Sequence, residues 1–140
     1  MINDATDRII DLIEADARFK GWDVRSFPDD PKRYTLANKR GAVLVGYNGR
    51  RFADPESTEP RYVKGIDFRL TVFNRNLRND GAETDTVRAL EALSDILDSQ
   101  QAEGCTFWTE GDEFVAESEG VWMYQLRLAG RTHQRLDLPL

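Results

Sequence analysis

The carboxylates crowding residues 110–119, namely Glu110, Asp112, Glu113, Glu117 and Glu119, are the first candidates for chemistry. Paired carboxylates can act as general acid and base or hold a divalent cation. Here, however, they alternate with Gly111 and Gly120. Acidic residues beside glycine are ordinary turn formers that stay in water. The stretch therefore reads as two solvated turns, Glu110-Gly111-Asp112 and Glu117-Ser118-Glu119-Gly120. Its sharper reading is an acidic rim that faces a partner, ahead of a metal or catalytic site. A second candidate set is basic: Arg69, Arg75 and Arg78 lie on or just beyond the longest strand pattern, and Arg50 and Arg51 open the loop that precedes it. They read either as a solvated sheet face or as an interface that forms salt bridges between subunits.

Nucleophilic and metal chemistry find little support. Cys105 is the sole cysteine and His133 the sole histidine. One cysteine permits no intramolecular disulfide, and a lone cysteine among Gly104, Thr106 and Phe107 packs as a small hydrophobe. A thiol nucleophile wants a histidine beside it, and His133 falls near the end of the chain. One cysteine and one histidine do not make a structural zinc site. Gly46-Tyr47-Asn48-Gly49 lacks the lysine and Ser/Thr of a phosphate loop, and no helix follows it. No catalytic residue, cofactor or metal is expected.

The elements that must position these residues centre on Tyr62–Leu77. Ile66, Phe68, Leu70 and Val72 alternate with Asp67, Arg69 and Thr71, the period of a strand with one buried face. Before it, residues 4–19 carry Ala5, Ile9, Ile13 and Ala17 at helical spacing, with Asn3 or Asp4 to cap and Gly21 to stop. Trp22–Phe27 alternates like a short strand and breaks at Pro28-Asp29-Asp30-Pro31. The basic turn that follows, Lys32 to Arg40, reads as solvated loop. The apolar run Gly41–Tyr47 predicts a strand covered on both faces. Asn48-Gly49 reads as a turn into a long loop, Arg50 to Arg61. A second helix is predicted over about Glu83–Ser99 from Val87, Leu90, Leu93 and Ile96. Three strands close the chain, over Cys105–Thr109, Glu113–Ala116 and Val121–Ala129, before a loose tail from Arg131 to Leu140. Runs of strands separated from helices predict an α+β domain: a mixed or antiparallel sheet of five to six strands with two helices packed on it.

At 140 residues the chain is expected to form a single domain over 1–140. The net charge of −6 is uneven: residues 81–140 hold twelve acidic against four basic side chains. An acidic domain is poorly suited to clasping duplex DNA. No apolar run reaches a membrane span, and the acidic N-terminus lacks the basic region of a signal peptide, so the chain is expected in the cytoplasm.

Three blocks together resemble the tail terminator (tail completion) proteins of Mu-like phages and prophages. They are Ala42-Val43-Leu44-Val45-Gly46-Tyr47-Asn48-Gly49-Arg50-Arg51-Phe52 with Asp54-Pro55 beyond it, Phe68 to Arg78 with Gly81 beyond it, and Gly120-Val121-Trp122-Met123-Tyr124-Gln125-Leu126. Their order, with one helix before and one after the central strand, carries more weight than any block alone. The resemblance implies an α+β structural protein without catalytic activity. Rings of such proteins, typically of six copies, cap the tail tube and offer a surface for head joining. The implied partners are further copies of the chain, the tail tube protein and head-completion or neck proteins, with DNA passing through unbound and no membrane involved. The implied locations are the cytoplasm during assembly and then the virion tail. Two other possibilities stay open: another neck or tail-tube adaptor of a phage or contractile injection system, and a small cytoplasmic binding module.

Overall fold

A computed structural model describes residues 2–27, 40–52, 63–75 and 82–132, with side chains of the second helix from Thr86 onward. In chain order the elements are α1 (Ile2–Glu14), a short 3-10 turn (Ala17–Phe19), β1 (Asp23–Ser26), β2 (Gly41–Phe52), β3 (Val63–Arg75), α2 (Ala82–Leu97), β4 (Gln101–Ala102), β5 (Cys105–Ser118) and β6 (Val121–Thr132). The strands form one six-stranded sheet in the order β1-β2-β3-β6-β5-β4. β1 runs parallel to β2, and every other pairing is antiparallel. Both helices pack on one face. α1 touches β1 and β4, which are opposite edges of the sheet, so the sheet curls around the helical layer. This is the expected α+β class.

The core forms where the two periodicities meet. Ala5, Ile9 and Ile13 recur every four residues along α1 and are buried. Ile66, Phe68, Leu70 and Val72 recur every two along β3 and are all fully buried. Phe107 on β5 and Leu126 and Leu128 on β6 continue that surface toward α2. The same face of β3 ends on Asn74, a buried polar residue. Its side-chain amide donates to the Thr86 hydroxyl at 3.1 Å, so it enters the core with a partner. The predicted double coverage of β2 holds over Ala42–Val45, which are buried on both faces. Asp98 ties the end of α2 to β5, accepting from the Thr109 backbone N–H at 2.7 Å and from its hydroxyl at 2.8 Å.

The structure corrects the sequence-based expectations at four places. α1 ends at Glu14, and Asp16 caps a separate 3-10 turn by accepting from the Arg18 N–H. Asn48-Gly49 is not a turn: the register skips from Tyr47↔Phe68 to Gly49↔Asp67, so Asn48 is the extra residue of a bulge and β2 continues to Phe52. Gly49, at φ +125°, supplies the backbone conformation the bulge needs. Glu110-Gly111-Asp112 is likewise no turn. β5 is one continuous strand, bulged at Glu110 and at Val115, and pairs with β6 from Cys105↔Thr132 to Ser118↔Val121. A partner strand long enough to pair on both sides turns a glycine-rich break into a bulge. The remaining correction is an addition, the short edge strand β4. It joins β5 through Glu103-Gly104, while β5 joins β6 through Glu119-Gly120. All four of these residues have positive φ, the signature of two-residue hairpin loops. The basic turn at 32–39, most of the 50–61 loop, Arg78 and residues 133–140 of the C-terminal tail lie outside the described residues, whereas Arg131 and Thr132, expected in the loose tail, continue β6.

Candidate interaction surfaces

The sheet face turned away from the helices carries the arginines. Register puts Asp67, Arg69 and Thr71 of β3 beside Ala129, Arg127 and Gln125 of β6 on this outer face. The Asn48 bulge shifts the parity of β2, so Arg51 joins the outer face opposite Gly65. Its guanidinium closes on Asp67 with Nε–Oδ2 at 3.3 Å and lies where a side chain at position 65 would stand. Arg69 donates to the Asn48 side-chain oxygen at 2.9 Å. Arg50, one residue from Arg51, falls on the opposite face and stacks over Phe52, 5.1 Å from the ring centre. Arg75 sits near the far end of β3, where its N–H donates to the Arg40 carbonyl. Of the expected basic set, the structure therefore brings together Arg51 and Arg69 and separates Arg50 and Arg75 from them.

Residues outside the expected set complete the patch. Arg127 lies directly opposite Arg69 in the β3–β6 register, and its guanidinium extends over Gly111 of β5. Trp108 pairs with Ala129, so in β6 it has Arg127 on one side and Arg131 on the other. Its side chain is 45% exposed. The alternation in Val121–Ala129 already places Arg127 on a face opposite Leu126 and Leu128. Its encounter with Trp108 and Arg69 depends on strand order, which no local pattern encodes.

The carboxylates do not form one cluster. Asp112 and Glu117 share the helix-side face with Phe114, Trp122 and Tyr124, whereas Glu113 faces outward beside Gln125. Glu110 sits in a bulge and Glu119 in the hairpin loop. Among the described residues, no group of three or more His, Cys, Asp or Glu is placed to hold a metal ion. The β5–β6 arm carries an aromatic cluster, with Phe114 at 5.7 Å from Trp122 and 5.5 Å from Tyr124 between ring centres. Between this arm and α2 runs a groove lined by Val87, Leu90, Glu91, Asp95, Asp112 and Tyr124. On the other side of α2 lies a basic cleft of Arg18, Arg40 and Arg88 over Trp22 and Asn74. Arg18 is committed there to Asp16 at 2.9 Å and Asp95 at 3.3 Å. The side-chain hydrogen bond from Arg18 holds the Asp16 carboxyl below its usual range. Cys105 is fully buried, and burial, reinforced by the charge of Glu103, pushes its thiol pKa up. A raised pKa makes it a poor nucleophile at neutral pH.

The described residues thus form a two-layer α+β scaffold whose charged and aromatic groups are spread over open surfaces. The family model for Gp37 protein matches residues 14–137, and the chain belongs to that family. Among solved structures, it is similar to a chain from the virion of a native gene transfer agent particle. The two share 16% identity over 93% of this chain and 95% of the other, with a TM-score of 0.58. A second solved chain matches at 8% identity over 99% of this chain and 95% of its own length, with a TM-score of 0.53. At these identities the likeness is one of fold. No curated protein matches the sequence. No described helix is long and apolar enough to cross a membrane.

Proposed function

We propose that this protein is a structural component of a phage-type virion, and within it a tail terminator. In this role copies of the chain form a ring that closes the tail tube and presents a surface to the head. The observation that carries the proposal is the end-to-end match of fold to a chain of a gene transfer agent virion, spanning 93% of one chain and 95% of the other. The blocks at Ala42–Phe52, Phe68–Arg78 and Gly120–Leu126, which resemble tail terminators, refine it from virion component to tube cap. The chemistry is consistent with such a role: charge and aromatic surface are spread over faces suited to neighbours. The role is non-enzymatic and needs no cofactor. Partners are further copies of this chain, the tail tube protein and the head-completion or neck proteins, with assembly in the cytoplasm. A neck or tube-adaptor role is the second reading, because the matched particle is a whole virion.

Within the ring, the tip of the β5–β6 arm carries Glu117 and Glu119 to the lumen or rim, with Glu110 and Glu113 further down the arm, whereas Asp112 lines the groove against α2. Negative lining repels DNA and lets it slide past without sticking. The direct experiment is to incubate purified protein with tail tubes and image the ends by electron microscopy. Density capping one end and halting tube elongation is the expected result. Tubes that stay uncapped and keep growing at saturating protein would refute the terminator assignment. Reversing Glu113, Glu117 and Glu119 to lysine should slow DNA delivery while leaving capping intact; unchanged delivery would remove the acidic residues from the lumen.

A further inference from the structure

We infer that copies of this chain join head to tail, the outer sheet face around Arg69, Arg127 and Trp108 of one copy seating in the groove between α2 and the β5–β6 arm of the next. The inference rests on the ring-forming function proposed above and specifies which surfaces make the ring.

The outer face has two features that a free monomer gains nothing from. Arg69 and Arg127 are direct cross-strand neighbours, and like charges in that position repel. Of the outer-face carboxylates near them, Asp67 is already held by Arg51, and Glu113 stands one rung further along, opposite Gln125, without an ion pair to Arg127 among the described residues. Among the described residues, Arg127 has no carboxylate within salt-bridge distance, and Arg69 is satisfied only by the neutral Asn48 amide. Beside them, Trp108 exposes 45% of its surface between Arg127 and Arg131. Tryptophan and arginine at the centre of a patch are the side chains that most often dominate binding between proteins.

The groove has the complementary character. Val87, Leu90 and Tyr124 give it apolar walls, and Glu91 and Asp112 stand on either side. Among the described residues neither carboxylate has an ion-pair partner, while Asp95 further along is shared with Arg18. Phe114, 52% exposed, and Val87, 40% exposed, extend the apolar surface at the same edge. An exposed apolar strip bordered by charge is the mark of an interaction site.

Geometry selects the mode of association. The arginine patch is on the outer face of the sheet, and the groove is on the helical face, so the two belong to opposite layers of one chain. A two-fold contact would set the same patch against itself, placing arginine against arginine or carboxylate against carboxylate. Joining unlike patches instead pairs arginine with carboxylate, and such head-to-tail contacts form a ring when the rotation between copies closes.

The test uses the full chain and two neutralised variants, with mass measured by light scattering after size exclusion. One variant, Arg69→Ser/Arg127→Ser, loses the patch and keeps the groove. The other, Glu91→Gln/Asp112→Asn, loses the groove charges and keeps the patch. All four side chains are exposed, so both variants should melt within a few degrees of the parent. The parent is expected to associate beyond a dimer in low salt and to lose mass as salt screens the contact. Each variant alone is expected at 16.0 kDa. An equimolar mixture retains one intact patch and one intact groove, and so should stop at a one-to-one pair of twice that mass. A parent that is monomeric at every soluble concentration overturns the inference. So does a variant that assembles like the parent, or a mixture that stays monomeric. Tube capping is scored separately. Capping by variants that still assemble normally refutes this interface and leaves the terminator function standing. Loss of assembly in both variants, with no capping by the parent, supports the interface and refutes the function.

Discussion

Replacing Gly130 by alanine should destabilise the fold through a clash identifiable atom by atom. A Cβ at position 130 would lie 2.6 Å from Cε1 of Phe107 and 2.9 Å from the Ile66 carbonyl oxygen. The first neighbour is a ring in the core, 2% exposed and 5.9 Å from the Phe68 ring centre. The second is the backbone of the central strand, paired with Gly130 in register. Neither can withdraw by several tenths of an ångström without moving the core. Overpacking of this kind costs about 1–3 kcal/mol. Removing a glycine returns about 0.4–1 kcal/mol by restricting the unfolded chain. The net loss should therefore be about 1–2 kcal/mol. With a urea slope of about 2 kcal/mol per molar, the midpoint should fall by roughly 0.5–1 M at unchanged slope. Parent and variant must be compared at one protein concentration, because association adds to apparent stability. A companion change, Phe107→Leu, removes the ring atom nearest the new methyl. The double variant should then be less destabilised than the sum of the two by at least about 0.5 kcal/mol. An unchanged midpoint for Gly130→Ala, or strict additivity in the pair, would refute the assignment of Phe107 as the obstacle.

Two further measurements probe individual buried groups. Among the described residues the buried Thr71 hydroxyl has no hydrogen-bond partner, so Thr71→Val should be neutral or stabilising by up to about 1 kcal/mol; a clear fall in melting temperature would show that the hydroxyl is satisfied. Cys105 should react with a thiol reagent far more slowly in the native than in the urea-unfolded protein. Because burial raises the folded thiol pKa above its unfolded value, stability should hold at pH values below the unfolded thiol pKa and decline as pH rises through and above it. Cys105→Ala should flatten that alkaline decline, and an identical pH profile in the variant would remove Cys105 as its source.

Several features could be read from the amino acids because they depend only on neighbours along the chain. Ala5, Ile9 and Ile13 define one side of a helix whatever they pack against, and Ile66 to Val72 define one face of a strand. The α+β class with two helices on one sheet followed from such periodicities, although two of the predicted strands merge into β5 and β4 is an addition; the burial of Cys105 followed from its residue type. Where glycine stood in a strand, local chemistry pointed the wrong way. Asn48-Gly49 and Glu110-Gly111-Asp112 have turn composition, yet both lie inside strands, because β3 and β6 offer continuous partners on either side.

The surfaces followed the same division. Sequence alone determined that the chain is acidic toward its C-terminal end, has one cysteine and one histidine, and contains a strand bearing Arg69 opposite an apolar face. Only tertiary structure decided that Arg69 meets Arg127 and that Trp108 stands beside them, since those residues come from three strands brought together by sheet order. It also divided the carboxylates of residues 110–119 between two faces of one arm. In a strand each step reverses the side chain, and each bulge resets that alternation. Which residues share a surface is thus set by pairing partners far apart in sequence, a long-range outcome of core burial that local composition does not contain.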